Sequence, residues 1–236
     1  MGSDPSLLID LLDLVGVLVF GISGGLVAVN RGMDIIGVLI LAGTTGLGGG
    51  MMRDVLIGAT PPAAFSDPWL LAAVAVAGLI TFFFHPAISR AEATIEAIDA
   101  IGLALFAVVG AFKALDYGLD AVPAVLMGLL TAIGGGVLRD MLGNRLPDVF
   151  RSGLYATPAV TGAAIAVALV RADVSDGWAA FVGGAVCFGW RMIALRNDWN
   201  APMPRPVSEA WVRARALDRG KGWRRGGRGP GGPAAP

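Results

Sequence analysis

Two copies of the motif Gly-Gly-Gly-x-x-Arg-Asp carry the residues of this sequence that are best suited to chemistry. The copies span 48–54 and 134–140, so they are 86 residues apart. Three consecutive glycines give a helix unusual backbone freedom, and carbonyl oxygens freed by a break can act as ligands for a cation. An arginine beside such a break could instead hold a carboxylate. The motif glycines are Gly48, Gly49, Gly50, Gly134, Gly135 and Gly136.

Both motifs lie in long apolar blocks of a chain with unusually few charges. Of its 236 residues 55% are hydrophobic and 15% charged, with a mean hydropathy of +0.69, whereas a soluble chain has about 25% charged residues. The blocks have the 17–25 residues needed to cross a bilayer core of about 30 Å. The composition therefore predicts an all-α integral membrane protein. Its first apolar block is expected to be a membrane span and not a cleaved signal peptide. Seven transmembrane helices are expected near 8–29, 35–57, 68–84, 98–115, 121–142, 154–171 and 177–194.

The chain contains an internal repeat that covers both motifs. A shift of 86 residues aligns the segment 13–58 with a later segment without a gap. Each copy contains three predicted spans, and an odd number of spans predicts that the second copy is inserted upside down. The predicted units are a first three-helix repeat (1–96), a second, inverted repeat (97–175), a seventh helix (176–195) and a basic tail (196–236). Identities outside the glycines include Asp13/Asp99, Phe20/Phe106, Thr45/Thr131, Arg53/Arg139 and Asp54/Asp140.

The net charge of zero hides an uneven distribution. The tail after residue 195 contains nine of the eighteen Lys and Arg residues. Basic segments beside a span remain in the cytoplasm, which predicts a cytoplasmic C-terminus and an outside N-terminus. The tail either fixes topology or binds anionic membrane lipid. Trp223 is the one aromatic residue in its densest basic stretch, 219–228, so specific nucleic-acid binding is not expected.

Arg53 and Arg139 lie several residues inside their predicted spans. An ionised side chain at the centre of a membrane helix costs at least about 2.5 kcal/mol, so it normally faces an acidic partner or a wet cavity. The repeat predicts two equivalent ion pairs, Asp13–Arg53 and Asp99–Arg139, that flank a pathway on opposite sides of the membrane. The alternative is that both arginines reach the lipid headgroups and have no further role.

Two features leave alternatives open. The glycine triplets could line a pathway or could allow close packing of helices. Lys113 replaces the Val27 of the first copy, which is consistent with a gating residue or with a lysine at the membrane interface. One histidine and one cysteine give no metal site, and no cofactor is expected. The chain also lacks a nucleotide-binding loop and a plausible catalytic triad, so we predict that it is not an enzyme.

The doubled Gly-Gly-Gly-x-x-Arg-Asp motif, in a three-plus-three-plus-one layout, resembles the bacterial branch of the trimeric intracellular cation (TRIC) channel family. The domain of this family is also described as glycine-transporter-like, and the resemblance covers about residues 8–194. It implies a homotrimer with one pore per protomer, lined by second and fifth helices that kink at the glycine triplets. It also implies permeation of monovalent cations, chiefly potassium. Pore or hinge residues would be the six motif glycines with Thr45 and Thr131.

Three functions remain open on the sequence. The first is a potassium-preferring cation channel, and the second is a secondary carrier of a small zwitterion such as glycine. Inverted repeats with interrupted helices are found in both classes. The third is a scaffold in which the glycines only pack helices. No selectivity-filter motif separates the first two.

Overall fold

The computed structural model describes residues 5–88, 92–151 and 154–199. Arg90 and the tail beyond Trp199, two of the basic regions used to predict orientation, lie outside the described residues. The described part of the chain forms nine helices. They are α1 (Pro5–Asn30), α2 (Ile35–Ile57), α3 (Ala63–Ser66), α4 (Pro68–Ile88), α5 (Glu92–Asp116), α6 (Ala121–Leu142), α7 (Asp148–Arg151), α8 (Ala156–Arg171) and α9 (Asp176–Arg196).

Six of these helices, α1, α2, α4, α5, α6 and α9, are long and apolar enough to cross a membrane. The helix α8 is apolar too, but its 16 residues give a length of about 24 Å, which is less than the bilayer core. The prediction of an all-helical membrane protein is therefore confirmed. A seventh crossing through α8 stays a prediction.

The starts of α2 and α6 differ although both follow an aspartate of the repeat. Asp34 caps α2, since its Oδ1 atom accepts a hydrogen bond of 2.8 Å from the Gly37 amide. Asp120 has the same extended backbone at the start of α6 but makes no such bond. Its carboxylate instead lies 3.4 Å from Arg171 at an exposed position. Asp34 thus caps its helix, whereas Asp120 lies in an exposed ion pair with Arg171.

The helices α2 and α6 cross where the two glycine triplets meet. A Cβ atom on Gly49 would collide with the carbonyl oxygen of Thr131, and one on Gly135 would collide with that of Thr45. Glycine at these two positions allows the backbones to touch, as in other membrane helix pairs.

The chain remains helical through both triplets, so the expected break of the second and fifth spans is wrong for this structure. The physical reason is that the glycines serve the crossing of α2 and α6 while their helical hydrogen bonds continue. Of the two roles expected for the triplets, close packing of helices is the one seen at Gly49 and Gly135. A kink without a break stays a prediction.

Thr45 and Thr131 also act within this packing. Their hydroxyl groups donate hydrogen bonds to the carbonyl oxygens four residues earlier, at 2.6 Å and 2.7 Å. Both side chains fill the space left by glycines, Gly24 of α1 and Gly110 of α5. Each threonine thus packs between the first two helices of its own repeat. Its hydroxyl group has a hydrogen-bond partner, as buried polar groups normally do.

Substitution of Gly135 by alanine tests the crossing. We expect Gly135→Ala to lower the thermal unfolding midpoint in detergent, because overpacking costs about 1–3 kcal/mol and the obstacle is backbone. Gly189→Ala on α9 is the matched control, since a Cβ atom there meets no other atom within 4 Å. Its midpoint should stay the same or rise. Equal midpoints for the two variants would contradict a tight crossing.

Candidate functional site: two buried ion-pair clusters

The first charged cluster forms at the end of α2 and is called cluster 1. It consists of Asp13, Arg53, Asp54 and Lys113. Arg53 is fully buried, and its Nη2 atom lies 3.2 Å from Asp13 Oδ2. Its Nε atom donates a hydrogen bond of 2.9 Å to Asp54 Oδ1. The guanidinium group therefore joins α1 to its own helix.

Asp54 connects two further elements. Its Oδ1 atom lies 2.9 Å from Lys113 Nζ on α5, and its Oδ2 atom accepts a 2.9 Å hydrogen bond from the amide of Ala63 at the start of α3. The side chain of Lys113 is only 18% exposed. Lys113 is thus an ion-paired member of cluster 1. Its position in the last turn of α5 leaves both interpretations from the sequence, a gating residue and an interfacial lysine, as predictions.

The second charged cluster, cluster 2, forms at the end of α6 and consists of Asp99, Arg139, Asp140 and Asp148. Arg139 Nη1 donates hydrogen bonds to Asp99 Oδ1 and, at 2.7 Å, to Ser23 Oγ on α1. Arg139 Nε donates to Asp140 Oδ1 at 2.9 Å. The amide of Asp148 donates to Asp140 Oδ2 at 3.1 Å, which anchors α7 to the end of α6.

Both predicted ion pairs, Asp13–Arg53 and Asp99–Arg139, are present in the structure. Each arginine also bonds the aspartate that follows it, and that aspartate in turn holds the backbone of the next element. The alternative that the arginines extend to the headgroups is wrong, because Arg53 is 0% and Arg139 2% exposed. An arginine buried in this way is stabilised by its acidic and polar partners.

The two clusters differ at positions where the two copies of the repeat have different residues. Ser23, which binds Arg139, corresponds to Val109 in the second copy. Valine cannot accept a hydrogen bond, and Arg53 Nη1 is correspondingly buried without a partner. Ser23 was not among the residues predicted from the sequence, although it departs from the repeat in the same way as Lys113 does.

Helices α8 and α9 add two further residues beside cluster 2. The guanidinium carbon of Arg191 lies 4.7 Å from the ring centroid of Tyr155, a cation–π contact. Both residues are buried, and Arg191 Nε and Nη1 have no hydrogen-bond partner. A Cβ atom on Gly136 would lie 2.9 Å from the Tyr155 hydroxyl oxygen, so this glycine makes room for the ring. Neither residue lies in a copy of the Gly-Gly-Gly-x-x-Arg-Asp motif, so neither was predicted as a site residue from the sequence.

The surroundings of the clusters differ in openness. The cavity beside cluster 1 has a volume of only about 10 Å³. Cluster 2 opens into a polar cavity of about 370 Å³, which we call the vestibule. Its charged lining consists of Arg31, Glu96, Asp99, Arg139, Arg145 and Asp148.

The charge balance of the clusters differs as well. Cluster 1 pairs two cationic with two acidic side chains, whereas cluster 2 has one arginine for three aspartates. Asp148 lies outside the membrane helices. Burial raises its pKa, the charge of Asp140 raises it further, and Arg139 opposes both effects. Among the described residues no group of His, Cys, Asp and Glu has the arrangement of a metal site. The arrangement offers an open vestibule, lined by three basic and three acidic side chains, at one end and a sealed, charge-balanced cluster at the other.

Comparison with known families gives a consistent result. The sequence model of a family described as "Glycine transporter" matches residues 10–86 and again 96–171. A "UPF0126 membrane protein" of Streptomyces coelicolor is 47% identical over 205 residues, which cover 86% of this chain and 94% of that protein. A protein of the same description from Deinococcus radiodurans is 40% identical over 80% of this chain and 87% of its own length. The "inner membrane protein YadS" of Escherichia coli is 34% identical over 82% and 93%.

Solved structures agree with the sequence relatives. The TRIC trimeric intracellular cation channel orthologue from Rhodobacter sphaeroides has a TM-score of 0.78 and 39% identity, covering 80% of this chain and 97% of its own. A prokaryotic TRIC channel in 0.5 M KCl has a TM-score of 0.77 and 31% identity over 83% and 100%. The family and the fold are those of a channel. The chain thus belongs to the bacterial branch of the TRIC channel family, whose repeated domain carries the glycine-transporter description.

Proposed function

We propose that this protein is a channel for monovalent cations that prefers potassium and has one pore in each protomer. The likeness to solved TRIC cation channels over at least four fifths of the chain supports a cation channel. The observation within the molecule that carries the proposal is the pair of clusters, because each is centred on an arginine of one of the two crossing helices, α2 and α6.

The clusters lie at opposite ends of the same helices. On α1, Asp13 belongs to cluster 1 and Ser23 contacts cluster 2. On α5 the order is reversed, since Asp99 belongs to cluster 2 and Lys113 to cluster 1. The two helices therefore run in opposite directions between the clusters. This order supports an inverted repeat, with the Asp13–Arg53 and Asp99–Arg139 pairs on opposite sides of the membrane.

The arginines are compatible with cation passage because their charge is neutralised locally. In cluster 2 three aspartates outnumber Arg139, and the lining of the vestibule balances three arginines with three carboxylates. The proposed pathway enters at this vestibule, passes the glycine triplets and leaves past cluster 1. Potassium is then the transported ion, and no cofactor is involved.

A homotrimer in the bacterial inner membrane is part of the proposal. The Rhodobacter sphaeroides structure is described as trimeric, and the Escherichia coli relative as an inner membrane protein. The N-terminus is outside and the C-terminus cytoplasmic, following the basic tail, which would contact anionic lipid.

A carrier of a small zwitterion such as glycine is the second candidate. One observation favours it: Arg53 Nη1 is buried without a partner, and such a donor suits a substrate carboxylate. The channel is preferred because the structural likeness is to proteins described as cation channels.

Planar-bilayer recording of the purified protein, together with liposome uptake of glycine, tests the two candidates. We expect unitary currents whose reversal potential follows the potassium gradient and no saturable glycine uptake. Saturable uptake of glycine without unitary currents would overturn the channel in favour of the carrier. Empty liposomes subjected to the same detergent removal are the control.

Replacement of Lys113 by valine tests the role of cluster 1 in the pathway. Lys113→Val restores the residue type of Val27 and leaves cluster 1 with one cation for two carboxylates. We expect the permeability ratio of potassium to chloride to rise severalfold, because the local charge becomes negative. Lys113→Arg keeps the charge and should leave the ratio unchanged. An unaltered ratio in Lys113→Val would place cluster 1 outside the pathway.

Chemical crosslinking in detergent tests the assembly. We expect a limiting species of three protomers, with intermediate dimers at low crosslinker concentration. A variant without the tail, ended after residue 199, is expected to form the same species, since the likeness to TRIC channels covers about 80% of the chain. A monomer as the limiting species would contradict the proposed trimer.

A further inference from the structure

Two phenylalanines of the repeat, Phe20 on α1 and Phe106 on α5, meet in the interior. Both are fully buried, and their ring centroids are 5.2 Å apart at an interplanar angle of 74°. This edge-to-face arrangement is a favourable one for aromatic rings. Each ring lies on a glycine of the opposite helix, Phe106 on Gly16 and Phe20 on Gly102, where a Cβ atom would collide with the ring.

The ring pair lies between the two clusters along both helices. On α1, Phe20 follows Asp13 of cluster 1 by seven residues and precedes Ser23 by three, which corresponds to about 10 Å and 5 Å along the helix axis. On α5, Phe106 lies seven residues after Asp99 of cluster 2 and seven before Lys113 of cluster 1, about 10 Å from each. A path from one cluster to the other along these helices must therefore cross the level of the rings.

The crossing of α2 and α6 lies at the same level as the ring pair. A Cβ atom on Gly135 would be 3.3 Å from Phe20 Cδ2, on the side opposite to the contact of Phe20 with α5. Thr45 and Thr131, which flank this crossing, are fully buried, and their hydroxyl groups already bond their own helices. This level of the molecule is therefore apolar and presents no free polar group of those two threonines to an ion.

We propose that the Phe20–Phe106 pair is the apolar barrier that separates the vestibule from cluster 1 and closes the pore. The inference rests on the proposed channel and identifies the residues that regulate its pathway. A narrow apolar segment excludes water and thereby blocks ions, even where charged groups on either side attract them. Movement of the two rings apart, with α1 and α5 or with their side-chain torsions, opens the pathway.

The pairing makes the barrier cooperative. Phe106 lies directly against Gly16 of α1, and Phe20 lies directly against Gly102 of α5. Neither ring therefore has space to move further toward the opposite helix. Both rings must therefore move for water to fill the space between them. Truncation of either ring alone is then sufficient to weaken the barrier.

Recordings of Phe20→Ala and Phe106→Ala test this inference. We expect the open probability at a fixed voltage to rise about tenfold or more in each variant, since removal of a ring lets water enter the barrier. Phe83→Ala is the matched control, because Phe83 is an exposed aromatic residue of α4 that also makes an edge-to-face pair, with Phe82. It should behave like the unmodified protein. Phe106→Leu keeps most of the apolar volume and is expected to stay closed.

A labelling experiment measures the barrier without any current. In a Cys187→Ala background, Leu146→Cys places a thiol at an exposed position of the vestibule lining, on the cluster 2 side of the rings. A charged thiol reagent added to proteoliposomes should modify it from the cluster 2 side only. After Phe106→Ala it should be modified from both sides. Variants are compared only where size-exclusion chromatography shows the same assembly as the unmodified protein.

The outcomes separate the two proposals. Currents in the unmodified protein with unchanged open probability in both alanine variants would overturn the barrier and leave the channel intact. Absence of currents in all variants would overturn the channel, and the labelling pattern would still decide whether the rings seal the interior. Modification of Leu146→Cys from both sides with both rings intact would refute the barrier directly.

Discussion

The burial of two arginines in an apolar body is the constraint on which the rest of this structure depends. A guanidinium group without partners in such an environment is strongly destabilising, so the fold must bring carboxylates to it. Arg53 and Arg139 each receive one carboxylate from a neighbouring helix and one from the next residue of the chain. The second carboxylate then binds the first amide of the following element. The position of α3 and α7 is thereby coupled to the charge of the clusters.

Close packing at glycine satisfies the remaining geometric requirement. The clusters can sit on α1 and α5 only if α2 and α6 approach those helices and each other. Gly49 and Gly135 provide the contact between α2 and α6, while Gly24 and Gly110 accept the threonine side chains. The same small residues that would suit a flexible hinge are used here for contact. Any opening of the proposed pathway must therefore break packing between uninterrupted helices.

Small departures from the repeat produce two different ends. Lys113 and Val109 give cluster 1 a second cation and leave one donor of Arg53 without a partner. Ser23 and Asp148 give cluster 2 additional acceptors and an open vestibule. The duplication thus gives each repeat one equivalent Asp–Arg ion pair. A few residues that differ between the copies leave cluster 1 sealed and cluster 2 accessible from the vestibule. The apolar rings of Phe20 and Phe106 lie where the two halves meet.

The sequence by itself determined the membrane class, the helix positions to within a few residues and both ion pairs. Hydropathy and the energetic cost of a lone arginine are local properties, and the exact spacing of the repeat transferred each pairing from one copy to the other. It did not determine the partners of Ser23, Asp148, Tyr155 and Arg191, nor that the helices continue through the glycine triplets. These depend on which helix faces meet, and a glycine triplet is equally compatible with a break and with a close contact. Only the tertiary structure, in which the Thr45 and Thr131 carbonyl groups lie against Gly135 and Gly49, decided for contact.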